Sequence, residues 1–257
     1  MKYKAKKRFG QNFLQDTFLI QHILQSISPT SFETLVEIGP GLGALTAPLS
    51  QTVKTIHVIE IDNDIVNFLS KQTYSNQLVI HHQDVLNYNF NELPSPQKII
   101  GNLPYNISTP LLFKLTNYIN LIESMFFMLQ KEVAERLIAQ PGSSQFGRLS
   151  VLLQYYFNIE IILEIPPTAF KPVPKVDSAF IRMLPNQGAH GKVNNWEHFS
   201  KLVKQSFSMK RKTIFNNLKS ILEQNTLLKL NINPTLRPEE LSIEQYVLLS
   251  NYLESKL

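Results

Sequence analysis

Val36-Glu37-Ile38-Gly39-Pro40-Gly41-Leu42-Gly43 sets the architecture of this chain. An apolar run that meets glycines at alternate positions reads as a buried strand turning sharply into a helix. Glycine is needed where the backbone takes positive φ or must come close to a ligand. The spacing is G-x-G-x-G, not the G-x-G-x-x-G of dinucleotide sites. A pyrophosphate needs a helix N-terminus held open toward it, so this tighter turn suits a ligand without phosphates.

On either side of the turn, short apolar runs alternate with helical patterns up to about Leu184. Leu35–Ile38, Ile56–Ile61, Leu78–His81, Lys98–Gly101 and Met125–Leu129 are predicted as buried strands, and Asp64–Leu69 and Pro110–Leu115 as helices. Ile20, Ile23, Leu24 and Ile27 place a helix before the first strand, capped at Asp16 or Thr17. Strand alternating with helix implies a parallel sheet covered on both faces. Tyr155–Leu163 and Ala179–Leu184 are predicted as a final antiparallel pair, because the proline-rich Pro166–Val176 between them leaves no room for a crossover helix. Pro185–Gly191 has linker composition. Beyond it the pattern is helical, ending in a helix with the capping box Ser242/Gln245 and a Leu241–Tyr246 staple. The expected division is therefore 1–185 and 186–257.

Glu60 ends the second strand about twenty residues after the glycine turn, where a carboxylate can accept both hydroxyls of a ribose. Asp84 follows the third strand, placed to accept from an adenine amine. Either acid alone could be a cap or a surface group. Acids and glycines at consecutive strand tips together describe a nucleoside site without phosphates, and S-adenosylmethionine fits it. At the next strand tip stands Asn102-Leu103-Pro104-Tyr105, followed by Ser108-Thr109-Pro110 as the expected helix start. The tetrad is either a capped, proline-stiffened turn or a cradle for a flat base with an exocyclic amine.

The chain has 257 residues, no cysteine and a formal charge of +5. Without cysteine there can be no disulfide, thiolate metal site or cysteine nucleophile. The histidines lack metal-ligand spacing, so no metal is expected. The basic start (Lys2, Lys4, Lys6, Lys7, Arg8) lacks the apolar stretch of a signal peptide, and no apolar run is long enough to span a membrane, so a cytoplasmic location is expected. A second acid-free block runs from His198 to Leu222 with Lys201, Lys204, Lys210, Arg211, Lys212 and Lys219. Two such blocks point to a polyanion, nucleic acid first.

Gly10-Gln11-Asn12-Phe13-Leu14, the Glu37–Gly43 turn, Glu60, Asp84, Asn102–Tyr105 and Phe170-Lys171-Pro172-Val173-Pro174-Lys175-Val176-Asp177-Ser178 resemble, in order, the motifs of the ribosomal RNA adenine dimethyltransferases. The resemblance implies an α/β, Rossmann-like S-adenosylmethionine-dependent methyltransferase sheet with a small C-terminal all-α, RNA-binding domain. It implies that Asn12 and Leu14 close over the methionine end of the cofactor, that Gly39, Glu60 and Asp84 line the rest, and that Asn102 borders cofactor and target. Their neighbours Gln11, Gly41, Ile61 and Val85 complete the candidate cofactor set. Asn102 Oδ1 and the Leu103 carbonyl would accept the amine hydrogens and turn its lone pair toward the methyl. Pro104 stiffens this cradle, and Tyr105 and Phe170 would sandwich a base taken out of its stack.

Phe207–Leu218 resembles the basic block of the members acting on two adjacent adenosines near the 3′ end of small-subunit (16S) rRNA, in an assembling subunit. Lys6, Lys7, Arg8, Lys210, Arg211 and Lys212 are the candidate RNA-binding residues, and a monomer is expected. Three other readings stand beside this one: a large-subunit (23S) rRNA methyltransferase of the antibiotic-resistance type, a DNA adenine methyltransferase, and a non-catalytic RNA-binding or transcription factor on the same scaffold.

Overall fold

The computed structural model describes residues 5–6, 10–31, 33–186, 188–209 and 211–256. The chain runs β1 (Phe13–Leu14), α1 (Thr17–Ile27), β2 (Thr34–Ile38), α2 (Thr46–Leu49), β3 (Ile56–Glu60), α3 (Asn63–Leu69), β4 (Leu78–His82), β5 (Gln97–Asn102) and α4 (Tyr105–Thr116). It continues through β6 (Ile122–Gln130), α5 (Lys131–Ile138), α6 (Arg148–Gln154), β7 (Phe157–Ile165), β8 (Phe170–Lys171) and β9 (Ser178–Pro185). Helices α7 (Trp196–Ser206), α8 (Ile214–Leu218), α9 (Gln224–Lys229) and α10 (Ile243–Glu254) complete it.

Seven strands form one sheet in the order β4-β3-β2-β5-β6-β9-β7. β2 to β6 are parallel neighbours, and β9 runs antiparallel to β6. The aliphatic runs explain the central strands. Leu35, Val36 and Ile38 of β2 and Ile56, Val58 and Ile59 of β3 are all buried, as in a sheet covered on both faces. Strand order reverses beside β2, which has β3 on one side and β5 on the other. Ligands of open α/β sheets bind at that reversal, beyond the carboxyl ends. Register then sets which residues share the rim: Ile38 lies opposite Ile59 and Gly101, and Glu60 opposite His82. Gly39, Glu60 and Asn102 are thereby brought to the tips of adjacent strands.

The expected strands and helices are present, with several differences. Helix α4 begins at Tyr105 rather than at Ser108–Pro110, with Pro104 at its N-cap and Pro110 inside it. Pro110 has no N–H to donate to the Asn106 carbonyl, and Asn106 is itself an exposed residue. The proline-rich loop contains β8, which pairs antiparallel with β1 (Leu14 opposite Phe170). A two-residue ladder lies below what side-chain periodicity can signal. Asp16 caps α1 by accepting from Leu19 N at 3.0 Å, and Ser242 and Gln245 form the capping box of α10.

The chain divides into two compact units, one of residues 1–134 and 159–185, the other of 135–158 and 186–257. This differs from a single cut after residue 185. Polar and aromatic contacts explain why 135–158 joins the second unit. Ser150 Oγ donates to the Arg136 carbonyl, Gln154 Nε2 donates to the Leu137 and Ala139 carbonyls, and Asn186 N donates to the Tyr156 carbonyl. Tyr155 and Tyr156 pack with Trp196, and Tyr155 also with Phe199.

Candidate active site and basic turn

The parallel strand tips open onto a cavity of about 700 Å³, within the range of small-ligand sites. All ten candidate cofactor residues line it: Gln11, Asn12, Leu14, Gly39, Gly41, Glu60, Ile61, Asp84, Val85 and Asn102. Gly39, Gly41 and Gly43 have φ of 65°, 55° and 84°, as the turn reading requires. At Gly41 a side chain would also be excluded by space, since its Cβ would meet the Phe13 ring at 3.0 Å. The arm carrying β1 is thus seated directly on the glycine turn.

Each acid is held by backbone. Glu60 Oε1 accepts from Ile61 N (2.9 Å) and Asp62 N (2.8 Å). Burial raises its pKa, and those two bonds oppose the rise. Asp84 Oδ1 accepts from Leu86 N at 2.9 Å, which fixes the loop after β4. Glu60 is held further by the Gly41 backbone, and in each case the carboxylate is fixed in place at the strand tip by its neighbouring chain. Asp62 caps α3 and accepts from Gln11 Nε2 (3.0 Å) and Lys6 Nζ (2.5 Å), while Lys6 also pairs with Asp64 at 2.6 Å. Lys6, expected among the RNA-binding cations, is therefore committed to fastening the N-terminal arm over the pocket.

Asn102 Nδ2 donates to the Asn12 carbonyl at 2.8 Å. That bond fixes the amide plane and leaves Oδ1 as an oriented acceptor. Pro104 lines the cavity beside it. Leu103 is buried, with its N–H bonded to the Met128 carbonyl, and Tyr105 OH pairs with Ser178 Oγ at 2.9 Å. Neither Leu103, Tyr105 nor Phe170 is on the cavity wall. Phe170 is 3% exposed and packs in the core cluster that includes Leu14.

Phe13, Ile107 and Glu37 are among the cavity residues that sequence reasoning did not name as site residues. Glu37 carried a signal, because an acid within an apolar strand is a buried charge that needs a reason. It is 2% exposed and Oε2 has no hydrogen-bond partner. Burial raises its pKa to about 7 and the Glu60 charge adds to this. An unpartnered buried acid beside a second acid fits a cationic ligand. Among the described residues no cluster of His, Asp and Glu could hold a metal ion.

In the second unit, Arg211 and Lys212 are exposed on the turn between α7 and α8. Lys7, Arg8 and Lys210 lie outside the described residues. The turn is tied by Asn217, 4% exposed. Its Oδ1 accepts from Ser208 Oγ and Met209 N, and its Nδ2 donates to the carbonyls of Met209, Lys212 and Thr213 at 3.2–3.3 Å.

The family model described as ribosomal RNA adenine dimethylase matches residues 2–255. The chain belongs to that family. It is 51% identical to the ribosomal RNA small subunit methyltransferase A of Neisseria meningitidis serogroup B over 255 residues, 99% of this chain and 98% of the relative. The protein of the same name from Chromobacterium violaceum is 49% identical, with the same shares covered. Among solved structures, a dimethyladenosine transferase from Plasmodium falciparum is similar at TM-score 0.83 and 25% identity, covering 95% of this chain and 98% of that one. The 23S rRNA methyltransferase ErmE shares the fold at TM-score 0.70 and 22% identity, over 95% of this chain and all of that one. Membership extends across both units, so the helical unit belongs to the family pattern as much as the sheet does.

Proposed function

We propose that the chain transfers methyl groups to the N6 amines of two adjacent adenosines near the 3′ end of 16S rRNA, giving dimethyladenosine during assembly of the small ribosomal subunit. The observation that carries the chemistry is Asn102, locked by Asn12 at the strand tip beside the pocket acids. Kinship with small-subunit methyltransferases across nearly the whole chain favours this substrate over 23S rRNA or DNA.

S-adenosylmethionine, when bound, supplies an electrophilic methyl on a sulfonium, so the protein need not activate a nucleophile. Glu60 would hold the ribose hydroxyls, Asp84 the adenine amine of the cofactor, and the Asn12–Leu14 arm would cover the methionine end. The target amine is weakly nucleophilic because its lone pair is delocalised into the ring. Asn102 Oδ1 and the Leu103 carbonyl would accept its two hydrogens, turning the lone pair outward and stabilising the positive charge that grows on nitrogen. In the second round the monomethylated amine has one hydrogen left, so one acceptor is released. Tyr105 would stack on the flipped base at ~1–3 kcal/mol, with Ser178 fixing its ring. Phe170 would supply the opposite wall after β8 parts from β1.

Arg211 and Lys212, with Lys7, Arg8 and Lys210, would meet RNA phosphates. The helical unit acts as the RNA-binding domain, and the protein works as a cytoplasmic monomer on an assembling subunit. The test is Asn102→Ala: donor affinity should fall with the loss of the Asn12 lock, while the turnover number at saturating donor falls about 10²–10³-fold, as for loss of one transition-state hydrogen-bonding group. Full activity in both methylation rounds would remove the amine-orienting role.

A further inference from the structure

Glu37 has a place in the pocket that the methyl-transfer step does not use. It is the penultimate residue of β2, two positions before the first glycine of the turn, and its side chain lines the cavity and is almost wholly inaccessible to water. Glu37 Oε2 and Thr46 Oγ1 both lack a partner in hydrogen-bond geometry. The titratable groups that bear on it are Glu60 on β3, which disfavours its charge, and Tyr74 from the segment before β4. Tyr74 sits against the turn so closely that a Cβ on Gly43 would lie 2.4 Å from its hydroxyl. Neither neighbour is cationic. Thr46, on α2, favours the ionised form, but burial outweighs it. A buried, unpaired carboxylate costs several kcal/mol, and such a group takes up a proton instead.

We propose that Glu37 senses the charge of the ligand in the cofactor pocket: it holds a proton when the pocket lacks a cation and releases it to solvent when the sulfonium donor binds. The inference rests on S-adenosylmethionine being the ligand of this pocket. On binding, the Glu37 O–H bond would break and the proton leave to water, and the carboxylate would balance the positive charge that the donor brings into the pocket. Methyl transfer turns that sulfonium into the neutral thioether of S-adenosylhomocysteine. The pocket then holds one positive charge fewer, since the product keeps only its α-ammonium, so the Glu37 carboxylate would be less favoured and the product held less tightly. Glu37 thus sets preference for donor over product, and that preference grows as pH rises.

The sign follows from linkage. A free-pocket value of about 7 that falls by two or more units in the donor complex makes donor affinity rise about tenfold between pH 6 and pH 8. Isothermal titration calorimetry at pH 6, 7 and 8, in pairs of buffers with different ionisation heats, reads both the affinity and the protons released. The wild-type protein should release nearly one proton per donor bound at pH 6 and almost none at pH 8. Glu37→Gln should remove that release and the tenfold slope. The donor's own amine titrates equally against both proteins and cancels in the comparison.

S-adenosylhomocysteine should show a markedly smaller slope with the wild-type protein. Thr46→Val should move the midpoint of the donor profile upward, and it keeps the proposal testable if Glu37→Gln does not fold. Parallel pH profiles for wild type and Glu37→Gln, an unmoved midpoint in Thr46→Val, or equal slopes for donor and product would each overturn the proposal. Absence of donor binding at every pH would instead overturn the cofactor reading beneath it.

Discussion

At the rim of the sheet, Glu37 is buried with Oε2 unpaired, whereas in the turn between α7 and α8 the equally buried Asn217 has partners on both its oxygen and its nitrogen. On the proposed function the two regions would serve ligands of opposite charge. A small cation can enter a pocket and neutralise a stored acid, so that region tolerates a polar group that destabilises the empty protein. A polyanion stays outside and meets cations on the surface. That region needs only a rigid backbone beneath Arg211 and Lys212, which a fully satisfied amide provides.

The widest expected contrast is in stability. Glu37 has its folded-state pKa raised from 4.5 to about 7. A raised carboxyl contributes stability below its unfolded value and loses it as pH climbs through the folded value. Glu37→Gln should therefore gain on wild type between pH 4.5 and pH 8, by on the order of 3 kcal/mol for a shift of this size. Chemical denaturation at pH 5 and pH 8 checks this. A constant difference would mean that Glu37 is not stored as an acid.

Asn217→Ala should act in the opposite sense, destabilising the second unit by about 2 kcal/mol at every pH because it leaves buried backbone groups unpaired. Donor affinity should be unchanged, while binding to small subunits weakens. A pH-dependent loss would erase the distinction between the two regions. The smallest effect belongs to Arg211→Ala with Lys212→Ala. Stability and donor affinity should hold, and the slope of subunit binding against log salt should flatten by about one for each phosphate no longer neutralised. An unaltered salt dependence would place the RNA elsewhere.

How much was readable followed from what holds each region. Strand-tip residues follow from chain order: the Gly39–Gly43 turn, Glu60, Asp84 and Asn102 are each announced by the apolar run before them, and parallel register brings them together. The ladder joining Leu14 to Phe170 was not readable, because two residues carry no periodicity and their pairing spans the whole sheet unit. Phe170 consequently reads as a stacking wall yet lies in the core. Helices α5 and α6 escaped because no cap chemistry marks them clearly, and the aromatic partners of the residues that follow α6 lie some forty positions on, at Trp196 and Phe199. Lys6 looked like one of a run of exposed cations, but Asp62 and Asp64, far along the chain, claim its ammonium.

Methyl transfer itself gives the decisive measurement. The protein is incubated with methyl-labelled S-adenosylmethionine and, separately, under-methylated small subunits, large subunits or DNA, and the nucleic acid is then digested to nucleosides. Labelled N6,N6-dimethyladenosine is expected from small subunits alone, two per particle, at adjacent adenosines near the 3′ end of 16S rRNA. Label appearing only in large subunits, or in none of the three, would contradict the assignment of this site to small-subunit adenine dimethylation.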